Sequence, residues 1–156
     1  MAGPAAAGKI SEVEIGDTLG FLLGRWELER AFEDDRAGGD GIFSGTATVA
    51  VPAGSGHARW DERGTVHVGT LDGDAERHLL LVDRPGSLVE VLFADGRPYV
   101  DLDLASGSWH AVHLCGDDRY EITTTVRTDD ELEERWAVTG PSKAYRARTV
   151  LRRSHT

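Results

Sequence analysis

Residues 21–30 read Phe-Leu-Leu-Gly-Arg-Trp-Glu-Leu-Glu-Arg (FLLGRWELER), and the texture of the chain changes in the middle of them. Before Gly24, apolar Ile15, Leu19, Leu22 and Leu23 recur at helical spacing, which lays them along one side of a helix. Asp17 stands where an N-cap would, because its carboxylate can accept from the free amides of a first turn. Gly20 and Gly24 keep such a helix short. After Gly24 the alternation has period two. Arg25 to Phe32 sets Trp26, Leu28, Arg30 and Phe32 on one side, as a strand requires. A short helix thus runs straight into a strand.

The period-two texture continues to the end of the chain. A Thr- and Val-rich run spans 42–51, and shorter runs follow at 57–63, 65–71, 77–82, 87–93, 99–104, 108–115, 119–127, 131–139 and 144–152. Turn residues separate them. Asp72-Gly73 and Asp95-Gly96 are the strongest hairpin signals, since these residues tolerate the positive φ of a tight turn. Ten or eleven strands at this spacing predict an antiparallel meander. Open edges on so long a sheet invite aggregation, and closing the sheet removes them. The expected fold is all-β, an up-and-down barrel of about 8–10 strands with a short N-terminal closing helix. A Greek-key sandwich is the rival, but it expects more long crossovers, and only 33–41 reads as a long loop. Residues 1–12, small and polar, read as a disordered lead, and residues 13–156 as a single barrel domain.

Composition narrows the function classes. The chain has 156 residues and a formal charge of -10, with 27 acidic against 17 basic side chains. A phosphate-tracking surface needs clustered Lys and Arg, so neither a nucleic-acid nor a membrane partner is expected. No run approaches the length of a membrane span. One cysteine, Cys115, leaves no internal disulfide and fits a cytoplasmic location. The six histidines show no close ligand spacing, so no metal site is expected.

The alternation also sorts the inner wall from the outer. In 99–104, Val100, Leu102 and Leu104 share one side and are read as inward, while Tyr99, Asp101 and Asp103 share the other. Elsewhere the inward set includes Trp26, Arg30, Trp60, Glu62, Tyr120, Glu134, Trp136 and Tyr145. Buried charges must be paired, and an ion pair of Arg30 with Glu62 or Glu134 is the simplest arrangement. For 108–115 either side could face in. His110 and His113, three apart, must then face opposite ways if the strand is regular.

Phe21-Leu-Leu-Gly24-Arg-Trp26 resembles the signature shared by lipocalins, fatty-acid-binding proteins and nitrobindins, the calycins. That resemblance implies a barrel in which the Trp closes one end and a late-strand Arg packs across it; Arg146, Arg148 and Arg152 are the candidates. A longer resemblance, over about residues 20–152, is to a bacterial calycin-like family of unknown function. It rests on FLLGRWELER, Trp60–Gly64 (WDERG), Asp95–Arg97 (DGR), His113–Tyr120 (HLCGDDRY) and Trp136–Tyr145 (WAVTGPSKAY). The family's aromatic-His pair after DGR is replaced here by Tyr99-Val100, and its Tyr two residues after an Arg by Leu79 after Arg77. The resemblance implies a fold and a cavity, and no reaction.

Two functional readings share that cavity. The first is a small-molecule-binding barrel whose Trp-lined wall (Trp26, Arg30, Trp60, Val100, Leu102, Glu134, Trp136, Tyr145) receives a small apolar or aromatic molecule without a cofactor, in a chain that is a candidate homodimer. The second is a cofactor-free cyclase, isomerase or dehydratase using His113, Tyr120 and Glu62 as acid/base groups. Haem held by His113 is a minor alternative, drawn from the nitrobindins. A lumen filled by its own side chains would support neither.

Overall fold

Asp17 starts the ordered chain as an N-cap: its carboxylate accepts from the Gly20 amide at 3.0 Å and opens the single-turn helix α1, Thr18–Leu22. This is seen in a computed structural model that describes residues 15–35 and 39–155; the expected lead, 1–12, lies outside them. Ten strands follow: β1 (Gly24–Asp34), β2 (Gly39–Ala50), β3 (Ala58–Val68), β4 (Leu71–Asp83), β5 (Leu88–Phe93), β6 (Pro98–Asp103), β7 (Ser108–Cys115), β8 (Asp118–Thr128), β9 (Glu131–Thr139) and β10 (Ala144–Arg153). No helix among the described residues is long and apolar enough to cross a membrane.

All ten strands form one antiparallel sheet in the order β6-β5-β4-β3-β2-β1-β10-β9-β8-β7. The first and last strands are neighbours, with Trp26 opposite Arg153 and Arg30 opposite Thr149. That pairing rolls the meander into a nearly closed barrel and disposes of the sandwich. β6 and β7, the two ends of the order, form no ladder. A side chain bridges them instead: Trp109 Nε1 donates to the Asp101 carbonyl at 2.8 Å. α1 covers one end, where the Leu104 amide donates to Thr18 Oγ1 at 2.9 Å and Leu22 is fully buried.

Three boundaries differ from the sequence reading. Runs 57–63 and 65–71 are one strand across Gly64, because Gly64 faces Gly45 on β2. A Cβ on Gly64 would meet the Ser44 carbonyl oxygen at 2.2 Å and Gly45 Cα at 2.7 Å, so glycine here permits close strand approach instead of breaking the strand. The following hairpin turns at Gly69, with φ +62°, and Asp72-Gly73 lies inside β4. The expected long loop at 33–41 is short, since β1 runs to Asp34 and β2 begins at Gly39. Asp95-Gly96 does turn, with Gly96 at φ +91°.

The inner wall follows the alternation. Leu28, Phe43, Val49, Leu81, Val89, Val126, Leu132 and Leu151 are buried in one apolar cluster with Trp26 and Trp60. Removing apolar area from water is the main stabilising contribution of such a wall.

Candidate functional site

The helix end of the barrel is plugged. Trp26 is fully buried, and its indole Nε1 donates to the Leu22 carbonyl at 2.9 Å. The late-strand arginine across its face is Arg153, 4.2 Å from the ring centroid, and not Arg146, Arg148 or Arg152. Those three point outward to Glu33, Glu133 and Glu131. Period-two counting from Leu151 reaches Arg153, so the signal was in the sequence. Trp26 therefore belongs to the plug and not to a ligand-facing wall.

Halfway up the lumen, Glu62 is the hub of an ion cluster. It is 1% exposed and accepts four hydrogen bonds. Arg30 donates to both its oxygens at 3.0 and 3.1 Å, Trp60 Nε1 donates at 2.9 Å, and Arg77 Nη2 donates at 2.8 Å. Burial pushes the Glu62 carboxyl up, but the two guanidiniums outweigh it and hold the group down at about 2. Arg30 also donates from Nε to Thr149 Oγ1 at 2.8 Å. The expected internal pair thus forms with Glu62. Glu134 makes no ion pair within 4.0 Å among the described residues and lines a small cavity instead. The inward set read from the sequence omits Arg77, although alternation from Leu79 and Leu81 places it inward. Its guanidinium lies 4.7 Å from the Trp136 ring centroid, and that of Arg30 lies 4.8 Å away. Such stacks are favourable cation–π contacts.

Above the cluster the barrel opens into a cup of about 630 Å³. Its wall is aromatic: the His113 ring sits edge-on to Phe93, Tyr99 and Tyr120, with centroids 5.6, 5.3 and 5.8 Å away. This settles 108–115: Trp109, Ala111 and His113 face in, while His110 lies outside beside Thr123 Oγ1 at 3.0 Å. Tyr99 departs from the alternation, which puts it outward: β5 and β6 pair Val91 with Val100 and Leu92 with Pro98, so Tyr99 is an extra residue in a bulge. The bulge turns it inward while Val100 and Leu102 stay on the inner wall. Burial pushes the Tyr99 phenol up, as does the Glu134 carboxylate, so it stays protonated.

Arg77, Leu79 and Tyr99 also line a deeper cavity of about 50 Å³, together with Trp60, Val100, Leu102 and Glu134. That is room for a few waters. The cup, in contrast, falls within the range of small-molecule sites. Tyr145 stands apart from both, facing a side pocket of about 280 Å³ shared with Arg30 and Trp136. At the rim, Lys143 donates to Tyr120 Oη at 3.3 Å and pairs with Asp118 at 3.4 Å, and Cys115 is exposed.

A family of unknown function, DUF6314, matches residues 22–153. The chain belongs to this family. No curated protein is similar to it in sequence. Among solved structures, an S-type phycobiliprotein lyase from Guillardia theta superimposes with a TM-score of 0.69, at 9% identity over 95% of this chain and 97% of that one. A DUF3598 protein of unknown function from Nostoc punctiforme superimposes with a TM-score of 0.62, at 12% identity over 92% of this chain and 51% of that one. At these identities the likeness is one of fold, and it agrees with the calycin-like barrel expected from FLLGRWELER.

Proposed function

We propose that this DUF6314 barrel binds a small, flat, largely apolar molecule in the cup. The observation that carries this reading is the cup's wall, in which His113 meets Phe93, Tyr99 and Tyr120 edge-on and Phe93 and Tyr99 tilt against each other, beside about 630 Å³ of open space. Aromatic walls favour planar ligands through area burial and offset stacking. A phycobiliprotein lyase of the same fold is consistent with a barrel that handles a small molecule.

The acid/base reading draws on the same place but gains no support from Glu62, whose carboxylate is committed to four donors. His113 has aromatic neighbours and no carboxylate ion pair among the described residues. Binding is therefore preferred to turnover.

The test is titration with N-phenyl-1-naphthylamine, a neutral planar fluorophore. Saturable, one-to-one enhancement in the wild type, weakened at least about fivefold in Tyr99→Ala, supports the cup. An absence of saturable binding, or binding indifferent to Tyr99→Ala, overturns it.

A further inference from the structure

The floor of the cup holds two polar groups with nothing to bond. Arg77 Nε and Trp136 Nε1 are both buried, and neither has a hydrogen-bond partner among the described residues. Both side chains line the cup, and the Arg77 guanidinium stacks on the Trp136 ring. An unmet buried donor carries the full desolvation cost of its N–H, so two side by side call for an explanation. The bonded donors of the cluster go to Glu62, apart from Arg30 Nε, which donates to Thr149 Oγ1.

The local charge points the same way. Two guanidiniums, Arg30 and Arg77, share the single Glu62 carboxylate. Glu134, the other inward carboxylate, lies on the small deep cavity and is not within ion-pair distance of either among the described residues. The cup floor thus holds unspent donors beside a guanidinium whose charge Glu62 meets directly and Glu134 only through space, inside a chain whose formal charge is -10.

We propose that this floor is an anion subsite: Arg77 Nε–H and Trp136 Nε1–H receive an oxygen of a carboxylate on the ligand, and the molecule the barrel holds is a planar acid. In that arrangement one oxyanion satisfies both N–H groups together. The planar body then lies along the Tyr99 and His113 rings. This rests on the cup being the binding site, and it adds the charge and the pole of the ligand.

The experiment compares two probes that differ in one group. 1-Anilinonaphthalene-8-sulfonate is N-phenyl-1-naphthylamine with a sulfonate, whose oxygens stand in for a carboxylate. The wild type is expected to bind the anionic probe at least about tenfold more tightly than the neutral one, against the repulsion of its own net charge. Arg77→Met is expected to bring the ratio of the two affinities to about one. Trp136→Phe, which keeps a ring for the guanidiniums but removes the N–H, is expected to reduce it severalfold, and it decides the matter should Arg77→Met not fold. Equal affinity for the two probes in the wild type overturns the subsite and leaves the cup standing, with water then meeting the two donors. A preference that survives in the folded variants overturns it too. Failure of both probes to bind removes the cup and the subsite together.

Discussion

The Arg153 guanidinium lies over the Trp26 indole, 4.2 Å from its centroid, and ties β10 to the closing helix. Its Nη2 donates to the Phe21 carbonyl at 2.9 Å and its Nη1 to the Leu23 carbonyl at 3.2 Å, acceptors the short helix leaves free at its C-terminal end. Arg153→Ala is expected to cost about 1–3 kcal/mol, combining a stack and charge-assisted bonds. Arg153→Lys should recover little of it, since an ammonium lacks the planar fork. Urea unfolding followed by Trp fluorescence measures both. An alanine variant as stable as the wild type would show the clasp to be ornamental.

Glu62 makes stability depend on acid. Its folded pKa of about 2 lies below the ordinary value of 4.5. The stabilisation is therefore present above about pH 4.5 and is lost as pH falls toward 2, and it amounts to about 3 kcal/mol. Glu62→Gln should cost about 3–5 kcal/mol at neutral pH, because it leaves Arg30 and Arg77 without their counter-charge. Between pH 5 and 2.5 the difference from the wild type should shrink. Denaturation at several pH values checks this, and a difference constant across that range contradicts it.

Gly64→Ala tests the close approach of β2 and β3. The added methyl would meet backbone atoms, which cannot rotate away. A loss of at least about 2 kcal/mol is expected, in line with overpacking elsewhere. Gly54→Ala serves as a contrast: no heavy atom lies within 4 Å of its Cβ position, and the cost there is the strain of φ +77°. Thermal melts rank the two; an unaffected Gly64→Ala variant would mean that the strands can separate at little cost.

The β6–β7 seam should be the softest part of the wall. With no ladder across it, the amides that face the seam lack cross-strand partners, and the Trp109 Nε1 bond to the Asp101 carbonyl satisfies an acceptor only. Hydrogen exchange there is expected to be much faster than along β1 and β10, which are paired on both sides. Trp109→Phe should speed it further. Uniform protection around the barrel would contradict the open seam.

Much of this molecule was legible in residues alone. The switch at Gly24 from helical to period-two spacing, the Asp17 cap and the repeated turn residues determined a closing helix and an antiparallel meander, because those signals are local. Alternation also placed Trp26, Arg30, Trp60, Glu62, Tyr120 and Trp136 on the inner wall, since a strand has only two sides. What escaped it was non-local. Whether Gly64 breaks a strand or passes close to another depends on which residue stands opposite, and that is Gly45. The inward turn of Tyr99 depends on a pairing slip between β5 and β6. The division of labour between Glu62 and Glu134, and the stranding of two N–H groups beside Trp136, depend on distances between β1, β3, β4 and β9, strands far apart in the chain. One-dimensional spacing carries the period of a strand; register and closure, which bring distant side chains within bonding distance, arise only when the sheet rolls up.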